Sequence, residues 1–257
     1  MWLDNASEVD ILFYEPYANV IADISQNPNY KPLTIGVFGV WGAGKSTLLK
    51  LIKQKIDEKA QKKEKTLGIN INAWMFEGYE DAKIALMESL LKVLNENKTF
   101  AKKVGEKIKQ LIKRIDYIKL GKNAVKKGLP YALGILTGNP LPIALNLSAD
   151  LAGSDNVVEK ISRFKDEYVK PPKDDSEIEN IRKFREEFEE MLEDVSEIDN
   201  LTVIIDDLDR CTPDRIIDTL EAIKLFLSVK KTTFIIAVDQ RIIEYAVKTK
   251  YKEIDGY

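Results

Sequence analysis

The chain has 257 residues, 44% apolar and 32% charged, which suits a folded chain with one large core and excludes a disordered or low-complexity protein. It holds no histidine and one cysteine, Cys211; this excludes a disulfide framework, cysteine-built zinc sites, His-ligated metals and Ser-His-Asp catalysis. The net charge of −3 conceals two opposed blocks: ten Lys/Arg against two Asp/Glu over residues 101–127, and twelve Asp/Glu against three Lys/Arg over 174–200.

Met1 to Asp10 has neither the basic start nor the apolar stretch of a signal peptide, so a cytoplasmic chain is expected. The short apolar run 33–38 predicts a buried strand, and a helix follows over 46–59 with apolar positions at 48, 49, 52 and 56. A second strand is expected at 67–72 and a helix from Asp81 to Leu94, with Ile84, Met87, Leu91 and Leu94 on one face. The basic block spaces Val104, Ile108, Leu111, Ile115 and Ile118 by three and four. The acidic block repeats that spacing with Ile181, Phe184, Phe188, Met191, Val195 and Ile198. Both read as amphipathic helices, either pairing as an antiparallel arm of opposite charge or forming two separate solvated faces. Pro171-Pro172 marks a turn between them. Strands at 201–205 and 232–238 each precede a helix, over 216–227 and 241–250, with Pro213 where a helix begins. Apolar strands alternating with helices predict an α/β fold, a parallel sheet with helices on both faces.

Residues 39–46 read Gly-Val-Trp-Gly-Ala-Gly-Lys-Ser, matching G-x-x-x-x-G-K-[ST] between a strand and a helix. Such a turn cradles phosphate: its glycines let backbone N–H groups converge, and the helix N-terminus adds partial positive charge. The nucleotide-binding set expected here is Gly39, Trp41, Gly42, Ala43, Gly44, Lys45, Ser46 and Thr47, with Lys45 on the β/γ-phosphates and the Ser46 hydroxyl on Mg²⁺. The apolar strand ending at Asp206-Asp207 puts acid at the sheet edge where α/β ligands bind. Asp206 is expected to hold Mg²⁺. Asp207 is expected to orient and deprotonate water, or else to cap the next segment. Asp239, ending the last strand, is expected to sense the γ-phosphate. Arg210 and Arg241 are candidates for stabilising transferred charge, or else salt-bridging residues, and Cys211 reads as an ordinary packed thiol. No Asn-Lys-x-Asp run is present to read guanine, which favours ATP over GTP; Asp10, Ile11, Leu12 and Phe13 are candidates to contact the base.

These residues resemble the KAP family of P-loop NTPases, within the STAND-like ATPase group. The likeness rests on residues 35–46, on Asn70-Ile-Asn-Ala-Trp74 with Phe76-Glu77, on Ile204-Ile-Asp-Asp-Leu-Asp-Arg-Cys211, and on 234–241. It implies a P-loop NTPase sheet with a helical insertion between the second strand and the acidic, or Walker B, strand. Lys45, Ser46, Asp206 and Asp207 match the family's nucleotide motifs. Bacterial relatives are linked to phage exclusion or defence, animal ones to membrane signalling scaffolds. The domains expected are 1–98, the first part of the NTPase domain; 99–198, the helical insertion with an apolar tip; and 199–257, the Walker B and sensor part. The family domain usually runs further, so the chain reads as shortened at its C-terminus.

Residues 128–149 carry no charge over 22 positions, long enough for a membrane span, but Asn139-Pro140-Leu-Pro142 interrupts them. Membrane contact through 128–152 as a re-entrant hairpin, at the inner face, is one reading; a buried cap on the arm is the other. Tyr117 is the sole aromatic of the basic block, which argues against nucleic acid as a partner. The sequence thus predicts an ATP- and Mg²⁺-dependent switch hydrolysing ATP to ADP and phosphate, with an unidentified protein partner or self-association. The alternative is a nucleotide-bound scaffold that never turns over.

Overall fold

A computed structural model describes residues 10–62, 65–79, 81–127, 177–226 and 228–251. Two compact units divide the chain: residues 1–109 with 185–257, and residues 110–184.

Among the described residues, the first unit is built on four parallel strands: β1 (Leu33–Phe38), β2 (Thr66–Asn72), β3 (Asn200–Asp206) and β4 (Thr232–Val238). Their spatial order is β1-β4-β3-β2, so β4 lies between the cradle strand β1 and the acidic strand β3. The pairing aligns Phe38 with Val238 and Asn72 with Asp206. Every residue of β4 is buried, as are the five central residues of β3, whereas β1 and β2 alternate toward exposure. Central parallel strands are covered on both faces and are therefore largely apolar, with only Thr202 in the buried part of β3 and Thr232 and Thr233 in β4 as polar exceptions; the demand relaxes at a sheet's flanks.

Helices α1 (Glu15–Gln26) and α2 (Lys45–Gln61) cover one face. Ala18 and Ala22 of α1 and Leu49, Ile52 and Ile56 of α2 form one cluster with Val37, Ile204, Ile235 and Ala237 of the sheet. Burying each large side chain there contributes on the order of 2 kcal/mol. The small alanines let α1 lie close, and Gly68 does the same for α2, since a Cβ on it would meet Ile56 Cγ2 at 3.1 Å. Helices α3 (Ala82–Glu96), α6 (Pro213–Phe226) and α7 (Gln240–Lys250) pack together in sequence α3 to α6 to α7. Phe226 of α6 meets Phe234 of β4 with ring centroids 6.2 Å apart. Sequence patterning misses α1, although Pro16 and the buried positions 18, 22 and 25 mark a helix start and face.

Between β2 and β3 the chain forms α3, α4 (Lys98–Lys127) and α5 (Glu177–Glu193). The expected seam is buried at Val104, Ile108, Leu111, Ile115 and Ile118, and at Phe184, Phe188, Met191 and Val195. In the first unit Lys103 pairs with Glu197 at 2.8 Å and Lys107 with Asp194 at 2.5 Å, the antiparallel order that opposite charge blocks favour. In the second unit Arg114 Nη1 donates to Asn180 Oδ1 at 3.4 Å. The helix expected through Ile198 stops at Glu193; a turn replaces its end, with the Ile198 amide donating to the Val195 carbonyl. The apolar stretch 128–152 lies outside the described residues. Among the described residues, no helix is long and apolar enough to cross a membrane.

Candidate nucleotide site

β1 leads into the cradle and β4 lies beside it, while β3 and β2 end at the same side of the parallel sheet with Asp206 and Asn72. Gly39 follows β1, and its N–H donates to the Val238 carbonyl of β4 at 3.2 Å, anchoring the loop to the neighbouring strand. Space is tight there: a Cβ on Gly39 would lie 3.2 Å from Ala43 Cβ and 3.3 Å from Lys45 Cγ. Gly42 and Gly44 both adopt φ +80°, a left-handed conformation that glycine reaches without a Cβ penalty. The Ala43 amide closes a turn onto the Val40 carbonyl at 3.1 Å, and Gly44 is the residue from which α2 starts. Lys45 opens that helix, Ser46 is half-buried and Thr47 is buried.

The segment before α1 braces this loop. The Tyr14 hydroxyl donates to the Ala43 carbonyl at 2.6 Å. A side chain on Gly44 would collide with Leu12 Cδ1 at 2.5 Å and reach Tyr14 Cε2 at 3.0 Å. The Asp10 carboxylate accepts from the Tyr14 amide at 2.9 Å and the Glu15 amide at 2.8 Å. The Tyr14 bond is the main cause holding Asp10 below the usual carboxylate range. Of the four candidates for base contact, Asp10 therefore caps the start of α1, while Ile11, Leu12 and Phe13 are exposed.

Beyond β3 the backbone turns sharply. Asp206 ends the strand, and its Oδ1 accepts the Asp207 amide at 2.8 Å. Asp207 has φ +59°, which aspartate tolerates better than most residues, and a 3-10 turn over Leu208–Arg210 follows. Arg210 Nε lies 2.6 Å from Asp207 Oδ1, and Asn72 Nδ2 donates to Asp207 Oδ2 at 2.9 Å. Asn72 is itself fixed, because its Oδ1 accepts the Trp74 amide. Burial raises the Asp207 carboxyl above its ordinary value and the Asp206 charge adds to the rise, with Arg210 and Asn72 opposing. The Arg210 guanidinium also stacks 4.8 Å from the ring centroid of Trp41 in the cradle.

Lys45 does not pair with Asp206 or Asp207. Its ammonium lies 2.9 Å from Asp209 Oδ2 and 3.3 Å from the Val40 carbonyl. Asp209 is the site residue that sequence reading left without a role. The three acids in four positions were visible, but which of them meets the lysine depends on the turn after Asp207.

Asp239 follows β4 and begins α7, its Oδ1 accepting the Arg241 amide at 3.0 Å. Arg241 Nη2 lies 2.6 Å from Asp239 Oδ2. That hydrogen bond is the chief cause lowering the Asp239 carboxyl, with a smaller contribution from the Lys45 charge. Arg210 and Arg241 are thus both engaged by neighbouring carboxylates. Cys211 is buried, with Sγ 3.5 Å from the Ala73 carbonyl, and burial, with Glu77 next, pushes its thiol up to about 11.

Among the described residues no group of three or more His, Cys, Asp or Glu is arranged to hold a metal ion. One hydroxyl and one carboxylate, Ser46 and Asp206, suit Mg²⁺, which keeps waters and phosphate oxygens in its shell. The chemistry available at this edge is therefore that of a phosphate tail held by amides, an ammonium and a hydroxyl, facing paired acids. The model of the KAP family P-loop domain matches residues 14–257. No curated protein matches the sequence.

Proposed function

This chain belongs to the KAP family of P-loop domains, a nucleotide-binding NTPase family, and we propose that it binds Mg-ATP and hydrolyses it to ADP and phosphate as a conformational switch. The carrying observation is that one sheet edge gathers the cradle 39–46, the Asp206-Asp207 pair and Asp239, with the fields of Lys45 and Asp239 overlapping. The backbone amides of the cradle and Lys45 bind the β/γ-phosphates. Mg²⁺, when bound, neutralises charge on those phosphates; Ser46 and Asp206 would hold it.

Asp207 orients the attacking water and accepts its proton. A P–O bond forms between that water and the γ-phosphorus while the bond to the β–γ bridging oxygen breaks, and ADP leaves with the electron pair. The raised carboxyl of Asp207 suits a base better than an ordinary aspartate would. Asp239 senses the γ-phosphate through the lysine charge they share. Asp207 must free one carboxylate oxygen for water, and Arg210 and Asn72 engage both. That engagement favours one second reading, a nucleotide-bound scaffold that never turns over. Single-turnover assay of the purified chain with Mg-ATP separates the two: free phosphate is expected, and bound but intact ATP would leave only the scaffold.

A further inference from the structure

The Asp206-Asp207-Leu208-Asp209 run carries one acid more than the proposed reaction uses. Asp209 is not a solvated surface charge: its side chain is 7% exposed, and that of its partner Lys45 is 10% exposed. The contact, at 2.9 Å, is built by backbone geometry. Asp207 turns the chain through its left-handed φ, and the 3-10 turn delivers Asp209 to the first residue of α2. In so enclosed a place the ammonium and carboxylate satisfy each other strongly, because little water screens them.

A triphosphate tail brings its negative charge to the same ammonium. Lys45 has one charge to share, and two anions cannot both take it at full strength. A carboxylate left beside the phosphate would repel it, so the incoming ligand must displace Asp209 or bind weakly against it.

We propose that Asp209 is a built-in competitor for Lys45 that sets nucleotide affinity: it neutralises the cradle lysine while the site is empty and is released when phosphate oxygens take its place. This rests on the nucleotide-binding reading above and assigns a role to a residue outside the hydrolytic set. It inverts the usual expectation for a buried acid beside a P-loop, since removing the Asp209 charge strengthens binding where loss of a metal or phosphate ligand would weaken it.

The test is calorimetry of Mg-ATP with the full chain, as wild type, Asp209→Asn, Asp209→Ala, Lys45→Met and the Lys45→Met/Asp209→Asn double variant. Circular dichroism verifies folding. Asp209→Asn and Asp209→Ala are expected to bind about tenfold tighter than wild type, the scale of one charge-assisted contact returned to the ligand. The double variant is expected to bind no better than Lys45→Met, because the gain acts through the ammonium. Equal or weaker binding by both single Asp209 variants, with wild type binding normally, overturns the competitor role alone. Folded wild type and Asp209 variants that all fail to bind overturn the nucleotide reading and the competitor with it. Should neither Asp209 variant fold, hydrogen exchange on wild type decides. Faster exchange across residues 208–210 on saturation with Mg-ATP supports release of Asp209, and unchanged or slower exchange overturns it.

Discussion

The Tyr14 hydroxyl donates to the Ala43 carbonyl at 2.6 Å, across 29 positions of sequence. It joins the residue before α1 to the Gly-rich loop 39–46, so the brace bears on the shape of that loop rather than on the core. Tyr14→Phe keeps the ring and removes the donor, at a cost of about 1 kcal/mol. Mg-ATP affinity is expected to fall roughly three- to tenfold with little change in melting temperature. Unchanged affinity by calorimetry would show that the loop holds its shape without the brace.

Lys45 and Asp207 are expected to fail differently. Lys45→Ala removes the cradle's ammonium, and Mg-ATP binding is expected to be lost. Asp207→Asn keeps shape and the Asn72 and Arg210 neighbours but cannot accept a proton. Binding is expected to persist while turnover falls about 10²- to 10⁴-fold. A phosphate-release assay beside calorimetry checks both, and equal turnover in Asp207→Asn and wild type would remove the general base.

Lys31 gives stability a pH dependence whose sign is fixed. Burial is the larger cause and lowers its amine from 10.5 to about 8, with the Asp199 charge opposing. Below pH about 8 both folded and unfolded states carry the proton, and the full penalty of burying the charge is present. Between about 8 and 10.5 the unfolded chain binds more protons than the folded one, so stability rises with pH through that window. Urea midpoints of wild type minus Lys31→Met should show this rise. A difference that is flat or falls across the window would contradict it.

Cys211 should be silent toward thiol reagents in the folded chain. Its thiol is buried and held up at about 11, so very little thiolate exists at neutral pH. Because it is the single cysteine, Ellman's reagent is expected to label one thiol in denaturant and almost none without it. Rapid labelling of the native protein would contradict the packing at Ala73.

Much of the fold was legible because its signals are local. The run 33–38 and the run 232–238 match β1 and β4 residue for residue; β4 is buried throughout, whereas β1, expected to be buried, fully buries only Val37 because it lies beside β4 alone in the strand order. Asp81, read as the start of a helix, instead caps it, its Oδ1 accepting the Lys83 and Ile84 amides. The G-x-x-x-x-G-K-[ST] spacing located the cradle because left-handed φ at Gly42 and Gly44 is a property of single residues. By contrast, α1 was missed although Pro16 and the spacing of positions 18, 22 and 25 mark it; its buried face is made of small and polar residues, and Ala18 and Ala22 join the cluster of Val37, Ile204, Ile235 and Ala237.

By itself the sequence determined most of the segments that become strands and helices, where the Gly-rich turn lies, and which acids end the strands; these follow from neighbouring residues, through periodicity and backbone sterics. Only the tertiary structure decided that β4 separates β1 from β3, that Tyr14 braces Ala43, and that Lys45 meets Asp209 rather than Asp206 or Asp207. Those choices pair residues far apart in the chain. They depend on strand order and on one left-handed turn, which set ångström-scale distances that composition and spacing do not encode.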